Sequence, residues 1–205
     1  MTDAAFDDFV ARLAARTPAP GGGAASARTA AMGAALCAMV LRFSVDRPAN
    51  AARSAAIAAA IGRLDETIAR IRPLDERDMA AFEAVLAAYR LPKDDPARAV
   101  AIQTALIHAM DVPTEICAAC AEALRLVEPL GDAVGRNIVV DLATGAELLL
   151  AAARSAHWMV AINATSSTDA AQAATALRNA DGILHEVEER HARLIAHARK
   201  SIGQR

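Results

Sequence analysis

The chain has 205 residues, is 55% hydrophobic but only 3% aromatic, and carries a formal net charge of −2. With charge this balanced and no basic run, the sequence gives no electrostatic footprint for nucleic acid or for an anionic membrane. Three cysteines in apolar surroundings exclude a disulfide framework and suit a reducing compartment.

The N-terminal sequence is acidic and lacks the basic start of a secretory signal. A first helix is expected from an N-cap at Thr2, with Phe6, Phe9, Val10 and Leu13 on one inward face. Thr17-Pro18 ends it. Pro18, Pro20 and Gly21-Gly22-Gly23 then form a corner with a fixed bend and a side-chain-free backbone. A helix opening at Gly23 or Ala24 presents unpaired N–H groups and a positive dipole end there. The corner is either a plain helix start or an anion-binding site. Its glycine spacing fits neither a P-loop nor a dinucleotide fingerprint.

This second helix is apolar nearly all round through Phe43 and is expected to be the buried centre of the fold. Its length is marginal for a membrane span, and Arg28 and Arg42 bracket it. The spacing suits a bundle helix. After a loop over 44–50, Ile57, Ile61, Leu64, Ile68 and Ile71 recur in four- and three-residue steps, a bundle seam. Arg72-Pro73 stops that helix. A fourth, from about Asp75 to Tyr89, would turn Met79, Phe82, Leu86 and Tyr89 inward.

The turn over 91–96 restarts a helix, with Asp95 as N-cap and Pro96 at its first position. Pro113 predicts a break near Met110–Val112, with Asp111 capping the second segment. That segment carries Cys117-x-x-Cys120, read as small core hydrophobes rather than a zinc or redox pair. Asn137 can cap a sixth helix running to about Asn163, and Ser167 or Thr168 the last. No stretch alternates in strand fashion. The expectation is one all-α domain over 1–205, a bundle of long antiparallel helices around the central apolar one. So many alanines and so few bulky residues predict a homodimer that completes the core.

Several short motifs now resemble one family. Pro20-Gly-Gly-Gly-Ala24, then Met32-Gly-Ala-Ala-Leu-Cys-Ala-Met-Val40, is similar to the opening of the cyclodeaminase/cyclohydrolase folate enzymes. Asp78-Met-Ala-Ala-Phe82, Tyr89-Arg-Leu-Pro-Lys93, Asp111-Val-Pro113, Gly135-Arg-Asn137 with Asp141, and Asn163 follow in the family's order. The likeness covers essentially the whole chain. It departs at Ser44–Pro48, where the family carries a lysine-rich loop, and at Val140 and Ala161. It implies an all-α dimer using a tetrahydrofolate derivative as substrate and no metal or redox cofactor; the cysteines and the acidic N-terminal sequence add the expectation of a cytoplasmic protein.

The resemblance further implies site residues. Asp141, Asp78 and Lys93 would be catalytic; Asp141 or Asp78 would place a carboxylate near the substrate's amidinium cation. Lys93 would donate a proton or hold a folate carboxylate. Pro20, Gly21, Gly22, Gly23 and Ala24 would contact the substrate through backbone. Asn137 and Asn163 would hydrogen-bond its pterin ring. The activity expected is methenyltetrahydrofolate cyclohydrolase, the alternatives being formiminotetrahydrofolate cyclodeaminase or a non-catalytic folate-binding helical dimer.

Overall fold

The computed structural model describes residues 4–203; Thr2, the expected first cap, lies outside them. Among the described residues there are no strands. The elements are α1 (Ala4–Ala14), α2 (Gly22–Val45), a 3₁₀ turn (Pro48–Arg53), α3 (Ser54–Ile71), α4 (Leu74–Arg90), α5 (Arg98–Val127), a second 3₁₀ turn (Glu128–Ala133), α6 (Val139–Ser166) and α7 (Ala170–Ile202).

The main core is built from α2, α3, α5, α6 and α7, with Leu41, Ile57, Leu64, Ile116, Leu124, Leu142 and Leu149 fully enclosed. The most extensive contact is between α2 and α6. It is possible because both helices lack side chains where they cross. A Cβ on Gly33 would stand 2.9 Å from the Gly145 carbonyl oxygen, and one on Gly145 would stand 2.9 Å from Cys37 Sγ. By length and composition α2 could cross a membrane, and 56% of its most apolar stretch is buried here. Cys37, Cys117 and Cys120 are free, buried thiols, and burial pushes Cys37 and Cys117 up to about 12. They pack as hydrophobes.

Pro113 does not break its helix: α5 runs through it. A proline there removes the N–H that would bond the Ala109 carbonyl four residues back. Asn163 of α6 makes good the loss, its Nδ2 donating to the Ala109 oxygen at 2.8 Å. Asp111 is therefore an exposed mid-helix residue, 3.5 Å from His108, and caps nothing.

Other ends also differ from expectation. Asp95 accepts from the Ala97 N–H, but α5 starts two residues beyond Pro96. Asn137 is exposed and does not cap α6, whose N-cap is Ile138. Asp169, not Ser167 or Thr168, caps α7 by accepting from Gln172 N–H.

Helix α1 lies outside the core. Only Phe9 is buried, while Phe6, Val10 and Leu13 of the expected inward face remain exposed. Phe9 lies under the Arg28 guanidinium, 3.5 Å from the ring centre. Arg28 Nε in turn donates to the buried Asp75 carboxylate at 2.8 Å. This stack ties α1, α2 and the first turn of α4 together beside the glycine corner.

Candidate active site

The glycine corner and three helices enclose a cavity of about 220 Å³. Its floor is the corner itself, Gly21 to Gly23. One wall is α4, with Asp78, Met79 and Phe82. The other is the end of α6, with Met159, Ile162 and Asn163. The Met79–Phe82 stripe, expected to face the core, is a cavity wall instead. That is why Phe82, with apolar neighbours on only one side, remains 41% exposed.

Asp78 is the charged group in this cavity. Its carboxylate rests on the Cα of Gly23, where a Cβ would fall 2.0 Å from Oδ1. Any side chain at 23 would occupy the carboxylate's own volume, so the third glycine is a requirement of Asp78. Burial pushes the Asp78 carboxyl above its ordinary range, and a hydrogen bond from the Ala24 backbone opposes this. The positive end of α2 is thus filled by a carboxylate from α4. The corner is an anion site, as one expectation had it, but the anion is internal. What remains open to a ligand is the Gly21–Gly22 backbone, with Met159 3.4 Å from a Cβ built on Gly22.

Asn163 stands across the cavity. Because its Nδ2 is committed to Ala109, the amide is fixed, and its Oδ1 is the acceptor left for a ligand.

The remaining expected residues lie elsewhere in the single chain. Pro20 is buried in the corner, behind the cavity lining. Ala24 contributes its N–H to Asp78. Lys93 is exposed in the α4–α5 turn. Asp141 and Asn137 sit at the start of α6, and Asn163 near its end. At 1.5 Å rise per residue, Asp141 is about 33 Å from Asn163. One copy of the chain does not bring Asp141 or Asn137 to the cavity. Met159, Ile162 and Phe82 were not foreseen as site residues. Their only sequence signal is that α6 and α4 carry more apolar surface than one buried stripe needs.

Among the described residues no three His, Cys, Asp or Glu side chains gather in a way that could hold a metal ion.

The geometry is that of an all-α enzyme-like fold with one half-buried carboxylate in an apolar cleft, and comparison with known proteins gives it a family. The sequence model described as formiminotransferase-cyclodeaminase matches residues 5–182. A methenyltetrahydrofolate cyclohydrolase from Methylorubrum extorquens is 33% identical over 88% of this chain and 89% of its own length. The formimidoyltransferase-cyclodeaminase of Sus scrofa is 34% identical over 90% of this chain, which spans only 35% of that longer protein. The crystal structure of formiminotetrahydrofolate cyclodeaminase from Thermotoga maritima superposes with a TM-score of 0.87 at 24% identity, covering 98% of this chain and 96% of that one. The chain belongs to the formiminotransferase-cyclodeaminase family.

Proposed function

We propose that this protein hydrolyses methenyltetrahydrofolate to formyltetrahydrofolate. One observation carries the reading: a half-buried carboxylate, Asp78, faces an open cleft from a helix end whose glycine exists to admit it. A relative 33% identical over 88% of this chain and 89% of its own length bears the name of this activity.

The substrate's amidinium carbon is cationic and bridges two folate nitrogens. Water adds to it, one carbon–nitrogen bond breaks, and a neutral formyl amide remains, with one proton released. The Asp78 anion opposes the cation and takes the proton from the attacking water. Its acid form then returns a proton to the departing nitrogen. A carboxyl that burial raises above its ordinary range is suited to both steps. Asn163 Oδ1 and the Gly21–Gly22 backbone would orient the flat ring. No metal or redox group enters this scheme.

The test is absorbance of the methenyl chromophore. Wild type should consume it, and Asp78→Asn should slow that by about 10²- to 10⁴-fold. An unchanged rate in the variant would remove Asp78 from the mechanism. The second reading is the cyclodeaminase, supported by the name of the 34% identical Sus scrofa relative. It would generate the chromophore from formiminotetrahydrofolate rather than consume methenyltetrahydrofolate.

We further propose that the working form is a soluble cytoplasmic homodimer. Met32 and Phe43 on α2, with Val140, Trp158 and Ile162 on the adjacent α6, are exposed along uncharged seams with three- and four-residue steps. A second copy of the same helix pair would cover them as a four-helix packing. A role for Asp141 at the cavity would require that second copy. Trp158, 70% exposed, is the only tryptophan. Its emission should shift to the red on dilution if the seam opens, and Trp158→Glu should give monomers in sedimentation. A wild type that sediments as a monomer would refute the dimer.

A further inference from the structure

Pro113 is buried in the middle of α5 and does not line the cavity. Its influence there runs through the residue one turn back. A proline inside a helix removes the N–H that the carbonyl four residues earlier would accept, and its ring crowds that same carbonyl. Here the carbonyl belongs to Ala109, which does line the cavity. Ala109 is buried, where an acceptor left without a donor is costly.

The donor is Asn163 Nδ2, on α6, at 2.8 Å. A carbonyl can only accept, so this pairing settles which end of the amide faces α5. The nitrogen faces Ala109. Oδ1 makes no hydrogen bond with a described residue and is left for the cavity that Asn163 lines. An unanchored asparagine can turn its amide over and offer a ligand either a donor or an acceptor. The anchor at Ala109 commits this one to the acceptor.

The cavity wall that carries Asn163 is held separately. Gln103 of α5 donates to Ser167 Oγ and accepts from both the N–H and the hydroxyl of Thr168, each at 2.9 Å. These bonds keep the turn after α6 against α5 whether or not Asn163 is bonded. Loss of the Ala109 bond would therefore free the amide and leave the helix end in place.

We infer that Pro113 is a positioning residue for the substrate. It reserves the Ala109 carbonyl for Asn163 and so sets Oδ1 to accept a hydrogen from a ring N–H of the folate. This rests on the folate reading above and adds to it a residue that touches neither substrate nor cavity.

The experiment is a double-mutant cycle read in kinetics. Pro113→Ala returns an N–H to the Ala109 carbonyl and improves helix propensity, so the fold should hold. With methenyltetrahydrofolate its KM should rise about two- to tenfold, the worth of one hydrogen bond, and its kcat should change less than about twofold. Asn163→Ala should raise KM by a similar factor. Adding Pro113→Ala to Asn163→Ala should then leave KM where it was, because the group being positioned is gone. Hydrogen exchange of the Asn163 side-chain amide, followed by NMR in the free protein, reads the anchor without substrate: it should be slow in wild type and faster in Pro113→Ala. An unchanged KM in Pro113→Ala, exchange that stays slow there, or a KM rise that adds in full to that of Asn163→Ala overturns the positioning role while folate turnover stands. Wild type inert towards both methenyl- and formiminotetrahydrofolate overturns the folate reading, and the positioning role with it.

Discussion

Gly23→Ala isolates the link between the corner and the chemistry. The new methyl would fall 2.0 Å from Asp78 Oδ1 and 2.3 Å from Cγ. Atoms do not approach so closely, so the carboxylate must swing off the end of α2 and lose its bond from the Ala24 N–H. Losing a charge-assisted hydrogen bond costs about 1.5–3 kcal/mol. Two terms offset it: alanine is a better helix former than glycine by up to about 1 kcal/mol, and the displaced carboxylate regains water. Net stability should therefore fall by less than about 2 kcal/mol. Turnover should fall much further, by at least about 100-fold, because the acid–base group has left its place. Gly62→Ala, exposed on α3, is the control. Nothing lies within 4 Å of a Cβ built there, so turnover should be unchanged. Chromophore decay gives the rates and urea unfolding gives the stabilities. If Gly23→Ala turned over within about threefold of wild type while still folded, the carboxylate's position would be irrelevant to the reaction, and the reasoning from glycine to chemistry would fail.

The Asn163–Ala109 bond predicts an interaction between Asn163 and Pro113. Asn163→Ala leaves the Ala109 oxygen without its partner and should cost about 1–3 kcal/mol in wild type. In a Pro113→Ala background the restored N–H serves that oxygen, so the same change should cost under about 1 kcal/mol; equal costs in both would deny the compensation. Gly33→Ala would press a methyl against the Gly145 carbonyl oxygen at 2.9 Å, which is backbone and cannot rotate away. It should destabilise by about 1–3 kcal/mol with little effect on KM, measured by urea unfolding and kinetics together. Glu186 is held at about 2 by the hydrogen bond from Arg125, against an ordinary 4.5. A lowered carboxylate pKa contributes stability above the unfolded value and loses it as pH falls from 4.5 towards 2. Glu186→Gln should therefore flatten the stability curve in that window and leave activity near neutral pH unchanged; an unaltered acid limb would place the loss in other groups.

What could be read from the chain before folding was set by distance along it. Helix identity is local. The bundle seams of α3, the stop at Arg72-Pro73 and the turn at 91–96 each depend on a few neighbouring residues, and they stand where the periodicity placed them to within about two residues. The misreadings share a non-local cause. Pro113 is a helix breaker by every local rule, and what overrides it is an amide on α6, fifty-four residues along the chain from the Ala109 carbonyl it serves. Met79 and Phe82 have the spacing of a core stripe, yet whether a stripe meets protein or a cleft depends on where α6 ends.

The glycine corner shows the same limit in the site. Three glycines before a helix advertise an anion, but not whose. The answer depends on α4 bringing Asp78 back across the chain onto Gly23. Asp141 illustrates the converse. Sequence likeness groups it with Asp78 and Asn163, while the rigid length of α6 sets it about 33 Å from the cavity. A straight helix cannot be shortened to bring its two ends into one site. If both ends of α6 serve the same reaction, the geometry leaves one route: the uncharged seams on α2 and α6 must pack against a second copy running the opposite way. The exposed Trp158 and Phe43, at opposite ends of that face, are where such packing would close.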